Sequence, residues 1–267
     1  MNIFWREMKA QRKSLIIWCV GMVFLLIAGM SKYATLSVPG ESQTLNELMA
    51  DMPKSLQAIF GVGSLDLSTV SGYYGVLFLY IAMMATIHAG MLGATIIAKE
   101  ERDKTAEFLL VKPITRSMML TSKLAAALVG VVILNGVTSI GSLMAVQSYS
   151  NGENVNQDIM LLMGGLFILQ LLFMLLGSAV ASLLKLPKRA AGLTSGLLLL
   201  TFFISVVIDI SGNLDALKFL TPFKYFDAKS VLEAGSLSMG YMLLSLALMV
   251  LALVGTYVGY NKRDLKV

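Results

Sequence analysis

Residues 159–184 read IMLLMGGLFILQLLFMLLGSAVASLL, without a single Asp, Glu, Lys or Arg. A helix rises about 1.5 Å per residue, so roughly 20 apolar residues cross a hydrocarbon core about 30 Å thick. This stretch is long enough. No water reaches the core of a bilayer, so each peptide N–H and C=O must find its partner within the segment, which a helix achieves alone. A transmembrane strand would be shorter and would alternate polar with apolar residues. Gln170, Ser178 and Ser182 follow no such alternation.

Five further stretches have the same character: 14–31, 72–98, 124–147, 190–208 and 237–260. None contains a carboxylate or a strong base, and only the second holds a histidine, His88. Hydrophobic residues make up 57% of the 267-residue chain and charged residues 14%, against about 25% charged in soluble proteins. The expected fold is all-α: one polytopic transmembrane unit over 1–267 with six membrane-spanning helices. The first run follows Arg6, Lys9, Arg12 and Lys13, as a signal peptide would. It exceeds the usual apolar core of about 7–15 residues, however, and no small-x-small cleavage site follows, so it is taken as a span.

The Lys and Arg residues set the expected orientation. Residues before the first span, 99–123, 185–189 and the C-terminal tail together carry 16 of them, while the alternate connections carry five. Such an excess marks the cytoplasmic side, so both termini are expected in the cytoplasm. Clustering beside apolar spans explains the net charge of +5 as topology and excludes nucleic acid as a partner. Cys19 is the single cysteine, so neither an intramolecular disulfide nor a thiolate metal site can form.

Between the spans, local patterns point to helices at the surface. Over 2–13, Ile3, Phe4 and Met8 fall opposite Arg6, Lys9, Arg12 and Lys13, as in a short amphipathic helix lying on the inner membrane surface. Thr44 and Glu47 form a capping box ahead of Leu45, Leu48, Met49, Met52, Leu56, Ile59 and Phe60, with Pro53 bending or restarting that helix. In 209–236, Leu214, Leu217 and Leu220 precede a break at Thr221-Pro222, and Asp227 can cap a turn over 228–233.

The densest charge run follows the second span: KEERDKTAEFLLVKPITR, residues 99–116. Glu100 and Lys104 stand i,i+4 apart, which supports a helix by a few tenths of a kcal/mol. Phe108, Leu109 and Leu110 make an apolar tip and Pro113 ends the helix. About 14 helical residues give a rod of roughly 20 Å, suited to docking in a cleft on another protein. A plain solvated loop is the alternative.

This run resembles the first cytoplasmic loop of ABC-2 type ABC-transporter permeases through Glu100, Thr105, Glu107, Leu109, Pro113 and Arg116. Trp5-Arg6-Glu7 through Arg12-Lys13-Ser14 is similar to that family's cytoplasmic elbow helix. The stretch from Pro222 to Asp227 resembles the sequence before its last span, and Arg263-Asp264-Leu265 resembles its ending. No large external domain is present, which is similar to the small bacterial members. The resemblance implies a permease subunit of an ATP-driven exporter in the bacterial cytoplasmic membrane. It would pair with a second permease subunit, as a homo- or heterodimer, within membrane lipid. ATP and Mg would sit on a separate ABC ATPase subunit, and this chain would carry no cofactor and no catalysis. By the same implication Glu100, Glu101, Arg102, Asp103, Lys104, Thr105, Glu107 and Phe108 belong to a coupling helix that contacts the ATPase. Trp5, Arg6, Lys9 and Arg12 belong to the elbow. No Gly-x-x-x-x-Gly-Lys-Ser/Thr loop occurs in the chain, so ATP phosphates would have to be held elsewhere.

Within the spans, His88 is the only titratable side chain of its type and a candidate for a proton relay. No in-span carboxylate stands ready to receive a proton, so a neutral histidine bonded to a neighbouring helix is favoured. Asn135 and Gln170 are candidates for interhelical hydrogen bonds or for a passage. Small residues at four-residue spacing (Gly90 and Ala94, Ala89 and Gly93, Gly177 and Ala181, Gly192 and Gly196) suit close helix packing. So little charge in the spans suits an amphiphilic or apolar substrate. An ion-gradient-driven transporter would want an in-span carboxylate and paired half-repeats. An intramembrane enzyme would want a motif such as HExxH or GxSxG. The chain has none of these features.

Overall fold

The computed structural model describes residues 3–36, 51–62, 65–104, 115–150, 155–184, 187–211 and 214–262. Among the described residues eight α-helices run in order: α1 (Ile3–Leu36), α2 (Lys54–Phe60), α3 (Val70–Arg102), α4 (Arg116–Gln147), α5 (Asn156–Leu183), α6 (Ala190–Ser211), α7 (Ala228–Ala234) and α8 (Met239–Lys262). Short 3-10 turns cover Pro187–Arg189, Asp215–Leu220 and Pro222–Lys224. Among the described residues six helices are long and apolar enough to cross a membrane: α1, α3, α4, α5, α6 together with the turn before it, and α8. The all-α, six-span expectation holds.

Helix starts follow local chemistry. The Thr69 hydroxyl accepts from the Gly72 N–H at 3.1 Å to open α3, and the Thr115 hydroxyl accepts from the Met118 N–H at 3.2 Å to open α4. Each satisfies an amide that has no partner inside its own helix. Pro53 restarts the chain ahead of α2, which closes at Gly61 with φ 70°, a left-handed conformation that costs glycine little. The capping box at Thr44 and Glu47 lies outside the described residues. Asp227 does precede α7, but its side chain makes no capping bond there; its carboxylate instead faces Lys224 at 3.8 Å.

The central packing is between α3 and α5. A Cβ at Gly93 would stand 1.9 Å from the Met174 carbonyl oxygen, and one at Gly177 would stand 2.2 Å from that of Gly90. The two backbones touch where the small residues fall, as the sequence pattern implied. Gly192 and Gly196 behave differently, since a Cβ at either meets nothing within 4 Å. Helix α6 turns Thr194 and Leu198 inward, so the two glycines face out of the subunit. Helix α8 lies on α5, and α1 lies mainly on α4.

The helices alternate in direction, which gathers particular connections at each end. Arg6 reaches Glu100 at 2.9 Å, Lys123 reaches Glu100 at 2.5 Å, and Arg116 donates to the Asn261 carbonyl at 3.3 Å. The start of α1, the α3–α4 junction and the end of α8 therefore share one end, called here the terminal end. At the opposite end the Tyr33 hydroxyl donates to the Ser68 carbonyl at 3.1 Å, and that of Ser71 to Asp158 at 3.1 Å. Among the described residues the basic side chains Arg6, Lys99, Arg102, Arg116, Lys123 and Lys262 thus lie at one end of the bundle.

One expectation needs correction. Residues 2–13 were expected as a surface helix separate from the first span. From Ile3 the chain instead runs as one unbroken helix to Leu36. At 1.5 Å per residue it is about 50 Å long, some 20 Å more than a hydrocarbon core. Nothing in 3–36 is a proline, and Ile3, Phe4 and Met8 continue the packed face beyond the span, so nothing interrupts the helix.

Candidate functional site: the charged base and its cavity

At the terminal end three helices carry charges into the protein interior. Glu7 of α1 is 1% exposed, Glu100 of α3 is 7% exposed, and Lys123 of α4 is fully buried. Burying a charge is costly unless it is paired and hydrogen-bonded, and each of these is. The Lys123 ammonium donates to Glu100 at 2.5 Å and to the Ile96 carbonyl at 2.6 Å. Arg6 bridges Glu7 at 2.8 Å and Glu100 at 2.9 Å. Lys99 meets the other Glu7 oxygen at 3.4 Å. Three cations and two carboxylates thus join α1, α3 and α4 in one network.

This changes the expected role of Glu100. In sequence it pairs with Lys104 on a free-standing rod. In the structure α3 ends at Arg102, Asp103 closes it, and Lys104 turns the chain with φ 55°. Glu100 therefore belongs to the inside of the bundle and is not exposed for an ATPase to touch. A buried pair with Lys123 outweighs an exposed i,i+4 pair worth a few tenths of a kcal/mol. Asp103 is exposed, and the hydrogen bond from Arg102 at 2.9 Å holds its carboxyl below the usual range. Thr105, Glu107 and Phe108 lie outside the described residues, as does the rest of the expected rod to residue 114. Among the elbow residues Trp5 is 61% exposed, with Lys9 and Arg12 also exposed, while Arg6 is drawn into the network.

The structure also brings in residues that the sequence did not single out. Glu7 sits among elbow cations, and Lys123 was counted only as a topological charge. The one signal available was that Lys123 directly precedes an apolar run at the level where α3 carries Glu100.

Beside the network, between α1 and α3, lies a cavity of about 260 Å³. Glu7, Lys99 and Arg102 line its outer part, and Trp18 and His88 its deep part. His88 is 4% exposed and lies 5.3 Å from Trp18, ring to ring. Its Nδ1 has no hydrogen-bond partner among the described residues, so the expected bond to a neighbouring helix is not made through that atom. Asn135 and Gln170 do come together: the Asn135 amide donates to the Gln170 side-chain oxygen at 3.1 Å, linking α4 to α5. Gln170 is fully buried.

At the opposite end a larger cavity, about 710 Å³, is walled by the aromatic rings of Phe78, Phe202, Phe223 and Tyr241 and by charged side chains that include Lys54, Asp209, Lys224, Asp227, Lys229 and Glu233. Lys224 on its rim pairs with Asp209 at 2.5 Å. The 222–227 stretch tucks Phe223 against Phe173 and Phe202 at 5.4 and 5.6 Å. Tyr225 donates to the Phe219 carbonyl and stacks on Tyr241 at 5.0 Å. Burial, reinforced by Tyr241, pushes the Tyr225 phenol up to about 12.

Two solvent-reaching cavities at opposite ends of a six-helix bundle suit a transport component. The family comparison agrees: the model described as ABC-2 family transporter protein matches residues 1–265. The chain belongs to that family. Members of the ABC-2 family are membrane components of ABC transporters, and the resemblance seen in the four sequence stretches is thereby extended to nearly the whole chain. No curated protein matches the chain significantly.

Proposed function

We propose that this ABC-2 family protein is the permease subunit of an ATP-driven exporter, moving an amphiphilic or apolar substrate out of the cytoplasm. A separate ABC ATPase would hold ATP and Mg and do the hydrolysis. The subunit would work beside a second permease chain, identical or related, with both termini in the cytoplasm of a bacterial cell. The observation that carries this reading, beyond family membership, is the charged base. The charge run 99–116 leaves α3 where α3 is tied to α1 and α4 through Glu100, Arg6 and Lys123. A push delivered at Asp103 or beyond would therefore reach three spans together. The excess of Lys and Arg at the terminal end supports the sidedness, and the cavity at the other end, walled by aromatic and charged side chains together, suits release of an amphiphilic substrate.

The test reverses three acidic charges of the run 99–116 other than Glu100. Glu101→Lys, Asp103→Lys and Glu107→Lys together should abolish co-purification with the partner ABC ATPase and its stimulation by the permease, with the permease's own elution profile unchanged. Undiminished stimulation would remove the coupling role. Glu100 is left out on purpose, because its replacement would disturb the bundle itself.

A further inference from the structure

The cavity between α1 and α3 has a polarity gradient along two facing helix stripes. On α1, Glu7, Gln11, Ser14 and Trp18 recur at three- and four-residue spacing and all line it, which places them on one face. On α3 the matching stripe runs Arg102, Lys99, Thr95, Met91 and His88. From Lys99 to His88 is about 16 Å along the helix, and from Glu7 to Trp18 is the same. The gradient passes from charges at the terminal end, through neutral polar groups, to an aromatic floor.

Two polar nitrogens are left without partners there. The Nδ1 of His88, a side chain more than nine-tenths buried, and the Nε2 of Gln11 meet no hydrogen-bond partner among the described residues. A buried polar group without a partner is costly, and both side chains line the same space. At the outer end Lys99 gives one bond of 3.4 Å to Glu7, although an ammonium carries three donors. Glu7 is shared with Arg6 at 2.8 Å and Arg102 is paired with Asp103 at 2.9 Å, so Lys99, with its single long bond, is the cation with donors to spare at the mouth. Met91 is 37% exposed, so the wall also opens sideways, toward lipid.

The geometry points to a binding site for a phosphate-bearing amphiphile, entered from the inner leaflet. The phosphate lies between Lys99 and Arg102, oxygens of the linker reach Gln11 and His88, and the first carbons of the chain lie on Leu15 and Trp18. The volume, about 260 Å³, holds a head and the start of one chain, and the remainder leaves through the side opening at Met91. Basic pockets at the cytoplasmic ends of helices favour anionic head groups in the same way. This site rests on the sidedness given under the proposed function and supplies the chemical class of the substrate or resident lipid.

Trp18 makes the site directly observable. The chain has two tryptophans, so Trp5→Phe leaves Trp18 as the sole emitter. The full chain, in zwitterionic nanodiscs without any ATPase, would be titrated with chain-brominated lysophosphatidylglycerol, with the choline analogue, and with a brominated fatty alcohol. The anionic lipid is expected to quench Trp18 at about thirtyfold lower mole fraction than the choline lipid, which corresponds to the gain from two basic contacts. Arg102→Gln and Lys99→Gln should each erase most of that preference, and His88→Leu should weaken quenching by both phospholipids. Inorganic phosphate at millimolar concentration should not compete. Equal quenching by all three probes, or a preference untouched by Arg102→Gln, would overturn the site. Competition by free phosphate would overturn its assignment to an amphiphile. Since no ATPase is present, each of these failures leaves the permease reading intact, and a failed coupling test leaves this site intact.

Discussion

Replacing Lys123 by methionine tests the charged base most sharply. The ammonium is fully buried, 2.5 Å from Glu100 and 2.6 Å from the Ile96 carbonyl. Methionine matches its length without the charge. Glu100, 7% exposed, would keep only the Arg6 contact at 2.9 Å as its ion pair among the described residues. Removing one partner of a buried pair costs about 3–5 kcal/mol, because the remaining charge stays buried without compensation. For a chain of this size each kcal/mol is worth about 2–4 °C, so the midpoint of aggregation on heating in detergent should fall by about 10 °C. Replacing both partners by apolar residues is often neutral. The double variant Lys123→Met/Glu100→Met should therefore recover most of the loss, with Arg6 still held by Glu7 at 2.8 Å. Heating detergent-solubilised protein and measuring the monodisperse fraction by size exclusion reads both. If the single variant melts with the parent protein, or the double falls as far as two independent losses, the network is not what holds α1, α3 and α4 together.

Other perturbations separate the elements of the bundle. Gly177→Val should destabilise by about 1–3 kcal/mol or more, since its Cβ would stand 2.2 Å from the Gly90 carbonyl, whereas Gly196→Ala, with open space around it, should stay within about 0.5 kcal/mol; thermal midpoints compare the two. Gln170→Met should cost less than about 1 kcal/mol by the same measurement, because it removes a single interhelical bond, worth about 0.6 kcal/mol on average in membranes. Tyr225 has a folded-state pKa raised from 10.0 to about 12, so its contribution is complete below the unfolded value and is lost as pH rises through the folded one. The phenolate absorbance missing from Tyr225→Phe relative to the parent should accordingly appear near the upper value, and its appearance near the lower one would show an exposed ring.

How much was legible beforehand follows the physics of each feature. The six spans were, because a hydrocarbon solvent leaves a segment such as 159–184 no alternative to a helix. The α3–α5 contact was legible in type, since Gly90, Gly93 and Gly177 allow an approach that a side chain would block. The same spacing at Gly192 and Gly196 misleads, because spacing reports which residues share a face and not what the face meets. The separate elbow was misjudged for a related reason: a change from apolar to charged residues marks the end of a membrane span but does not break hydrogen bonds, and nothing between Ile3 and Leu36 interrupts the helix.

The charged base was the least legible feature, and it alters what the charge run can do. Sequence alone treats Glu7, Glu100 and Lys123 as solvated ends of three unrelated segments, since the bond from Arg6 to Glu100 crosses 94 positions and depends on how α1, α3 and α4 converge. Once they are paired, the root of the run is rigid and its outward part begins only after Arg102, where Lys104 turns the chain. In the proposed exporter such an anchor passes a force on α3 to α1 and α4 through these ion pairs. The cavity between α1 and α3 shares Glu7 and Lys99 with that anchor. Any displacement of α3 against α1 must therefore change the cavity mouth, which is the physical link the proposed exporter requires between force received outside the bundle and a ligand held within it.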